Sequence, residues 1–154
     1  MPDEELSRLT RERKKAHARL LAMGSPVYKA FLNMEKAAYS DGALPKQVKE
    51  LIAVGISVVI DCRSCIQWHI EQAAAAGAGP RQVLEAVEVG IEMGGGPATV
   101  SARFALDVMA DVFGPEALRA GPGRVDNAAP GGGPGGGTGG DLDGGLGGGP
   151  ETGR

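Results

Sequence analysis

The segment Asp61-Cys62-Arg63-Ser64-Cys65-Ile66-Gln67-Trp68-His69 holds both cysteines of the chain and one of its two histidines. Read as a helix, offsets of three, four and seven residues set Cys62, Cys65 and His69 on one stripe. Two sulfurs able to bridge and an imidazole able to take a proton then share a face. That is the minimum for a thiol that attacks, a thiol that resolves and a base. Cys62 falls in the first turn, where backbone N–H groups and the helix dipole favour a thiolate. The charge of Arg63 lowers a thiol pKa further, whereas a carboxylate at Asp61 raises it. The sequence leaves that balance open, and with it the identity of the nucleophile.

Glu50 stands twelve residues before Cys62, near the start of a long apolar run. An ionised carboxylate beside such a run needs a partner. Antiparallel packing of two consecutive helices could bring it to His69, to orient the imidazole or relay its proton through water. The plainer alternative is a solvent-facing glutamate at a helix start beside Lys46 and Lys49. The cysteines have plainer alternatives too. They could be buried and inert. They could ligate zinc, but Cys62, Cys65 and His69 make only three ligands, and His17 lies on a charged helix. A thioredoxin-like module needs strands that the sequence does not offer convincingly.

The elements that must position these groups read as helices. Residues 3–22 read as a helix, with Leu6, Leu9, Ala16, Leu20 and, just beyond, Met23 at roughly helical spacing. Their basic stretch, Arg11 to Lys15 with Arg19, reads as a solvated face. Ser25 and Pro26 open a second helix over 26–39, ended by Ser40-Asp41-Gly42. Pro45 opens a third, with Val48, Leu51, Ile52, Gly55, Ile56 and Val59 on one side. The run Leu51–Ile60 is apolar nearly all round, so this helix is buried on most of its surface. Its β-branched residues also suit a buried strand, but the opening Pro45-Lys46-Gln47-Val48-Lys49-Glu50 favours helix. Asp61 is a cap for a fourth helix from Cys62 to Ala76, closed by Gly77-Ala78-Gly79. Pro80 opens a fifth, with Val83, Leu84, Val87 and Ile91 along one side. Gly94-Gly95-Gly96-Pro97 interrupts it, and a sixth follows with Val100, Phe104, Val108 and Val112 in register.

Sixteen of the 26 glycines lie between Gly121 and Arg154, in a stretch without aromatic residues. Such a stretch buries too little to offset the entropy of ordering it. The expected organisation is one helical domain over 1–120 and a disordered Gly/Pro-rich tail over 121–154. The formal net charge is −3, which argues against a nucleic-acid partner. No run of 18 apolar residues marks a membrane span. The acidic opening Met1-Pro2-Asp3-Glu4-Glu5 has no apolar signal core, and two cysteines make no disulfide scaffold, so a reducing cytoplasm is expected.

Glu50, Cys62, Cys65 and His69 together resemble the E-x11-C-x2-C-x3-H pattern of the alkylhydroperoxidase D-like group of the carboxymuconolactone decarboxylase family. The stretches Leu44-Pro45-Lys46-Gln47-Val48-Lys49-Glu50-Leu51-Ile52-Ala53 and Met93-Gly94-Gly95-Gly96-Pro97-Ala98 are similar to the family's entry into its core helix and to its glycine break. The resemblance covers about 28–113. It implies an all-α bundle of about six helices assembling into trimers or hexamers. It implies a thiol peroxidase that reduces alkyl hydroperoxides without a bound cofactor or metal. Cys65 would attack, His69 would take its proton, Glu50 would support His69, and Cys62 would close a disulfide. An external dithiol, of lipoyl or thioredoxin type, would reopen it. Dipole logic alone favours Cys62 as the nucleophile, and the chain has room for only one helical unit. The rival activities are the lactone decarboxylase that names the family, which does not rely on a CxxC pair, and a non-enzymatic dithiol adaptor or encapsulated cargo protein. For the last, Asp141-Leu142-Asp143-Gly144-Gly145-Leu146 loosely resembles the terminal peptides that load encapsulin shells.

Overall fold

The computed structural model of the chain describes residues 2–119. The expected domain boundary near 120 and the tail over 121–154 lie outside the described residues. Five α-helices follow one another: α1 (Pro2–Ala22), α2 (Pro26–Ala38), α3 (Lys46–Val59), α4 (Arg63–Ala75) and α5 (Pro80–Phe113), with a 3-10 turn at Pro115–Leu118. Among the described residues there is no strand. The β-branched run after Leu51 is therefore the body of α3. A helix satisfies its own backbone groups, whereas a lone strand in this chain would find no neighbour to pair with.

Local chemistry sets the helix starts. Ser25 Oγ accepts from the Tyr28 N–H at 3.2 Å, with Pro26 next at the first helical position. The N-cap of α3 is Pro45, which has no capping side chain. Asp41, four residues earlier, supplies it instead: its Oδ1 accepts from the Lys46 N–H at 2.7 Å. The expected fifth and sixth helices are two arms of the single run α5. Of the four residues Gly94–Pro97, only Gly95 leaves the helical region, at φ 64° and ψ −149°. That conformation suits glycine alone. Pro97 stands just beyond it, in the first turn of the second arm, where a missing N–H is tolerated.

The core lies among α3, α4 and α5. It is built from Val54 and Val58, Ile66 and Ile70, and Val83, Val87, Val108 and Met109, with Leu6 of α1 packed against it. The buried residues of α3 are Glu50, Ala53, Val54, Ser57 and Val58. This corrects the stripe read from the sequence. Ile52, Ile56 and Val59 face outward, and so does Val100 in the second arm of α5. Hydropathy could not choose between two apolar faces of α3; the neighbours of α4 and α5 did. α2 buries none of its residues. No helix among the described residues is long and apolar enough to cross a membrane.

α3 and the first arm of α5 cross at two glycines. A Cβ on Gly90 would stand 2.8 Å from the Gly55 carbonyl oxygen and 3.0 Å from Val58 Cβ. Both are parts of a packed helix that cannot yield without moving backbone. Gly90→Ala is therefore expected to destabilise the chain by about 1–2 kcal/mol, overpacking outweighing the better helix propensity of alanine. Thermal unfolding should show it as a melting temperature several degrees lower; an unchanged or raised value would mean that the two helices can separate freely.

Candidate active site

Cys62 and Cys65 are joined by a disulfide, with Cα atoms 5.2 Å apart. The fourth helix is not capped by Asp61, as the sequence suggested. Cys62 is itself the N-cap, and its Sγ accepts from the Cys65 N–H at 3.3 Å. Asp61 takes a left-handed backbone conformation instead, at φ 53°. Its carboxylate accepts from Ser101 Oγ on α5 at 2.5 Å. Cys65 thus lies in the first turn of α4, and His69 follows one turn later on the same stripe.

Glu50 is only 2% exposed. It lies one turn into α3, on the face that packs against α4, and its Oε2 is 2.8 Å from His69 Nδ1. With Glu50 ionised the carboxylate can only accept, so Nδ1 is the donor, and in the neutral imidazole Nε2 holds the free lone pair. The pairing also answers the cost of burying the acid. Its other oxygen, Oε1, is 4.0 Å from Lys46 Nζ, one turn back on α3. That ammonium also donates to Gln72 Oε1 at 3.3 Å. α3 and α4 therefore bring together Glu50 and His69, and α4 alone carries Cys62, Cys65 and His69. His17, the other histidine, joins Tyr28 Oη at 2.7 Å on the α1–α2 side and has no part in this group.

Three neighbours lie outside the group Glu50, Cys62, Cys65 and His69 that the sequence assigns to the site. The Tyr39 ring, at the end of α2, sits 5.2 Å from the His69 ring, centroid to centroid. Burial, then the charges of Glu50 and Glu35, push its phenol pKa above the usual value. It is held neutral beside the imidazole. Lys46 precedes Glu50 by four residues, a helical spacing that was legible. Trp68 carries the Arg13 guanidinium over its ring at 4.7 Å. Arg13 in turn pairs with Glu71 at 3.2 Å, which fastens α1 to α4. Leu32, Tyr39, Lys46, Glu50 and Trp68 line an open cleft of about 520 Å³; neither cysteine nor His69 is part of its wall. The contribution of α2 has no sequence signal, because it depends on how the α1–α2 hairpin folds back.

Comparison with known proteins fits this architecture. The family model described as the carboxymuconolactone decarboxylase family matches residues 25–108. The chain is 40% identical over 91 residues to uncharacterized protein 4 in the cox locus of Paracoccus denitrificans, covering 59% of this chain and 82% of that one. It is 46% identical over 77 residues to an uncharacterized protein of Cupriavidus necator, covering 50% and 68%. Among solved structures, a carboxymuconolactone decarboxylase family protein of Legionella pneumophila superposes with a TM-score of 0.68 at 29% identity, over 71% of this chain and 97% of that one. A Thermotoga maritima protein superposes with a TM-score of 0.66 at 25% identity, over 72% and 97%. With a family model matching more than half of its length and the all-helical fold shared with these structures, the chain belongs to the carboxymuconolactone decarboxylase family.

Proposed function

We propose that the protein is a thiol peroxidase acting on organic hydroperoxides, in the manner of the alkylhydroperoxidase D-like group. The observation that carries the reading is the Glu50–His69 hydrogen bond, held one turn from a bonded Cys62–Cys65 pair. In the reduced protein His69 Nε2 takes the proton of Cys65. The thiolate attacks the outer oxygen of the hydroperoxide, the O–O bond breaks, and the alkoxide leaves with a proton as alcohol. Cys65 becomes a sulfenic acid. Cys62 then attacks that sulfur, water leaves, and the disulfide closes. An external dithiol of lipoyl or thioredoxin type returns two electrons and two protons. No bound cofactor is needed for any of these steps. A disulfide that must be reopened at each turnover suits a reducing compartment such as the cytoplasm. Support also comes from the Thermotoga relative, which is described as a candidate for the antioxidative response.

The test is a stopped-flow reaction of the reduced chain with cumene hydroperoxide, followed by Trp68 fluorescence and a count of remaining thiols. Fast loss of both thiols supports the reading. Slow, uncatalysed loss overturns it and leaves a dithiol relay.

The same reading includes association into trimers or hexamers. Ile56 is 55% exposed, Val89 62% and Met93 72%, and Ile52, Val59 and Ile60 are exposed as well. Apolar surface of this extent suits burial against further copies. Light scattering is expected to give a mass of three or more chains, and Ile56→Lys to shift it to that of one chain. A monomeric wild-type protein would refute the association.

A further inference from the structure

α3 closes and α4 opens on the same residues. The Cys62 N–H donates to Ser57 O at 3.1 Å and the Asp61 N–H to Val58 O at 3.4 Å. This closure requires a left-handed residue between helix and cysteine. α4 ends in the same way, with glycine in the left-handed place: Gly77 has φ 91°. Among the described residues, Asp61 is the one non-glycine with positive φ. Aspartate tolerates that conformation better than most residues but less well than glycine. Its Oδ1 is held by Ser101, which is buried on α5. Backbone and hydrogen bond thus fix a carboxylate next to Cys62, where the turn alone would favour glycine.

Cys62 at the cap receives the N-terminus of α4, equivalent to about half a positive charge. Acting alone, that would make Cys62 the thiolate. Arg63 could reinforce it, but its guanidinium is bound by Glu5 of α1 at 2.8 Å and lies 4.2 Å over the Phe104 ring. The groups brought to this turn are Asp61, Arg63 with Glu5, Ser101 and Phe104 from α5, and His69 beyond Cys65. The carboxylate of the residue next to Cys62 thus opposes the half-positive charge of the helix start. We propose that Asp61 is a positioning residue that keeps Cys62 protonated in the reduced protein, leaving Cys65, beside His69, as the attacking thiolate. The word "attacking" rests on the peroxidase reading; the division of protons between the thiols does not.

The test uses full-length chains with one cysteine each, Cys65→Ser and Cys62→Ser, with and without Asp61→Asn. Alkylation by iodoacetamide is followed against pH. Asparagine keeps the left-handed preference and can accept from Ser101, so it removes mainly the charge. In Cys65→Ser, Asp61→Asn is expected to lower the Cys62 pKa and raise its alkylation near neutral pH by about three- to tenfold. In Cys62→Ser, the Cys65 rate should change by less than about twofold, because the charge lies a turn further away. An unchanged Cys62 profile, or an equal shift in both cysteines, overturns the proposal. If Asp61→Asn does not fold, Asp61→Gly, which suits the same backbone, carries the same comparison. Peroxide turnover is measured separately. Its absence alongside the expected alkylation profiles would overturn the peroxidase reading and keep this inference.

Discussion

Cys65→Ser is expected to lower the rate of the reduced protein with cumene hydroperoxide by about a thousandfold or more. A serine hydroxyl at this place cannot supply a thiolate, and Cys62 is then the one thiol left on the α4 stripe. Cys62→Ser should differ in kind. Cys65 still attacks once, one peroxide is consumed per chain, and the reaction stops at the sulfenic acid for lack of a resolving thiol. Trp68 lies three residues from Cys65 and under the Arg13 guanidinium, so its fluorescence should follow both variants. Loss of the fast phase in Cys62→Ser but not in Cys65→Ser would reverse the two roles. Persistence in both would remove the pair from the reaction.

His69→Gln is expected to cost about a hundredfold to a thousandfold in the same assay, within the usual range for a positioned base. Glu50→Gln should cost less, about ten- to a hundredfold, because the carboxylate touches the imidazole and not the sulfur. The double variant should be no slower than His69→Gln alone, since Glu50 acts through His69. The residual rate of His69→Gln should rise with pH as the thiol ionises unaided. Thermal unfolding of Glu50→Gln separates chemistry from packing. A lower melting temperature with an unchanged rate would make the Glu50–His69 pair a structural contact. Additive losses in the double variant would show two groups working independently.

The legible part of the protein rests on local rules. Ser25-Pro26 opens α2 and the glycine of Gly95 breaks α5 as their chemistry requires. The stripe of Cys62, Cys65 and His69 follows from the helical repeat alone. Glu50 was also readable, as a carboxylate beside an apolar run that needs a partner and as part of the motif. What was misread depends on contacts between helices. Asp61 looks like an N-cap in one dimension, but the end of α3 needs its left-handed backbone and Ser101 takes its carboxylate. The apolar stripe of Ile52, Ile56 and Val59 looks like a core face, yet α4 and α5 pack on the opposite side. Hydropathy cannot rank two faces that are both apolar.

By itself, then, the sequence determined the helical order, the shared face of two thiols and an imidazole, and the family pattern that contains them. Those follow from short-range geometry, which the chain carries residue by residue. Only the tertiary structure decided that Glu50 meets His69 Nδ1, that Tyr39 and Lys46 close around them, and that Glu5 pairs with Arg63 while Ser101 takes the Asp61 carboxylate. Each of these is a contact between residues 19 or more apart, except for that of Lys46 with Glu50 on its own turn. Such contacts depend on which faces the helices choose when they pack, and no local preference encodes that choice.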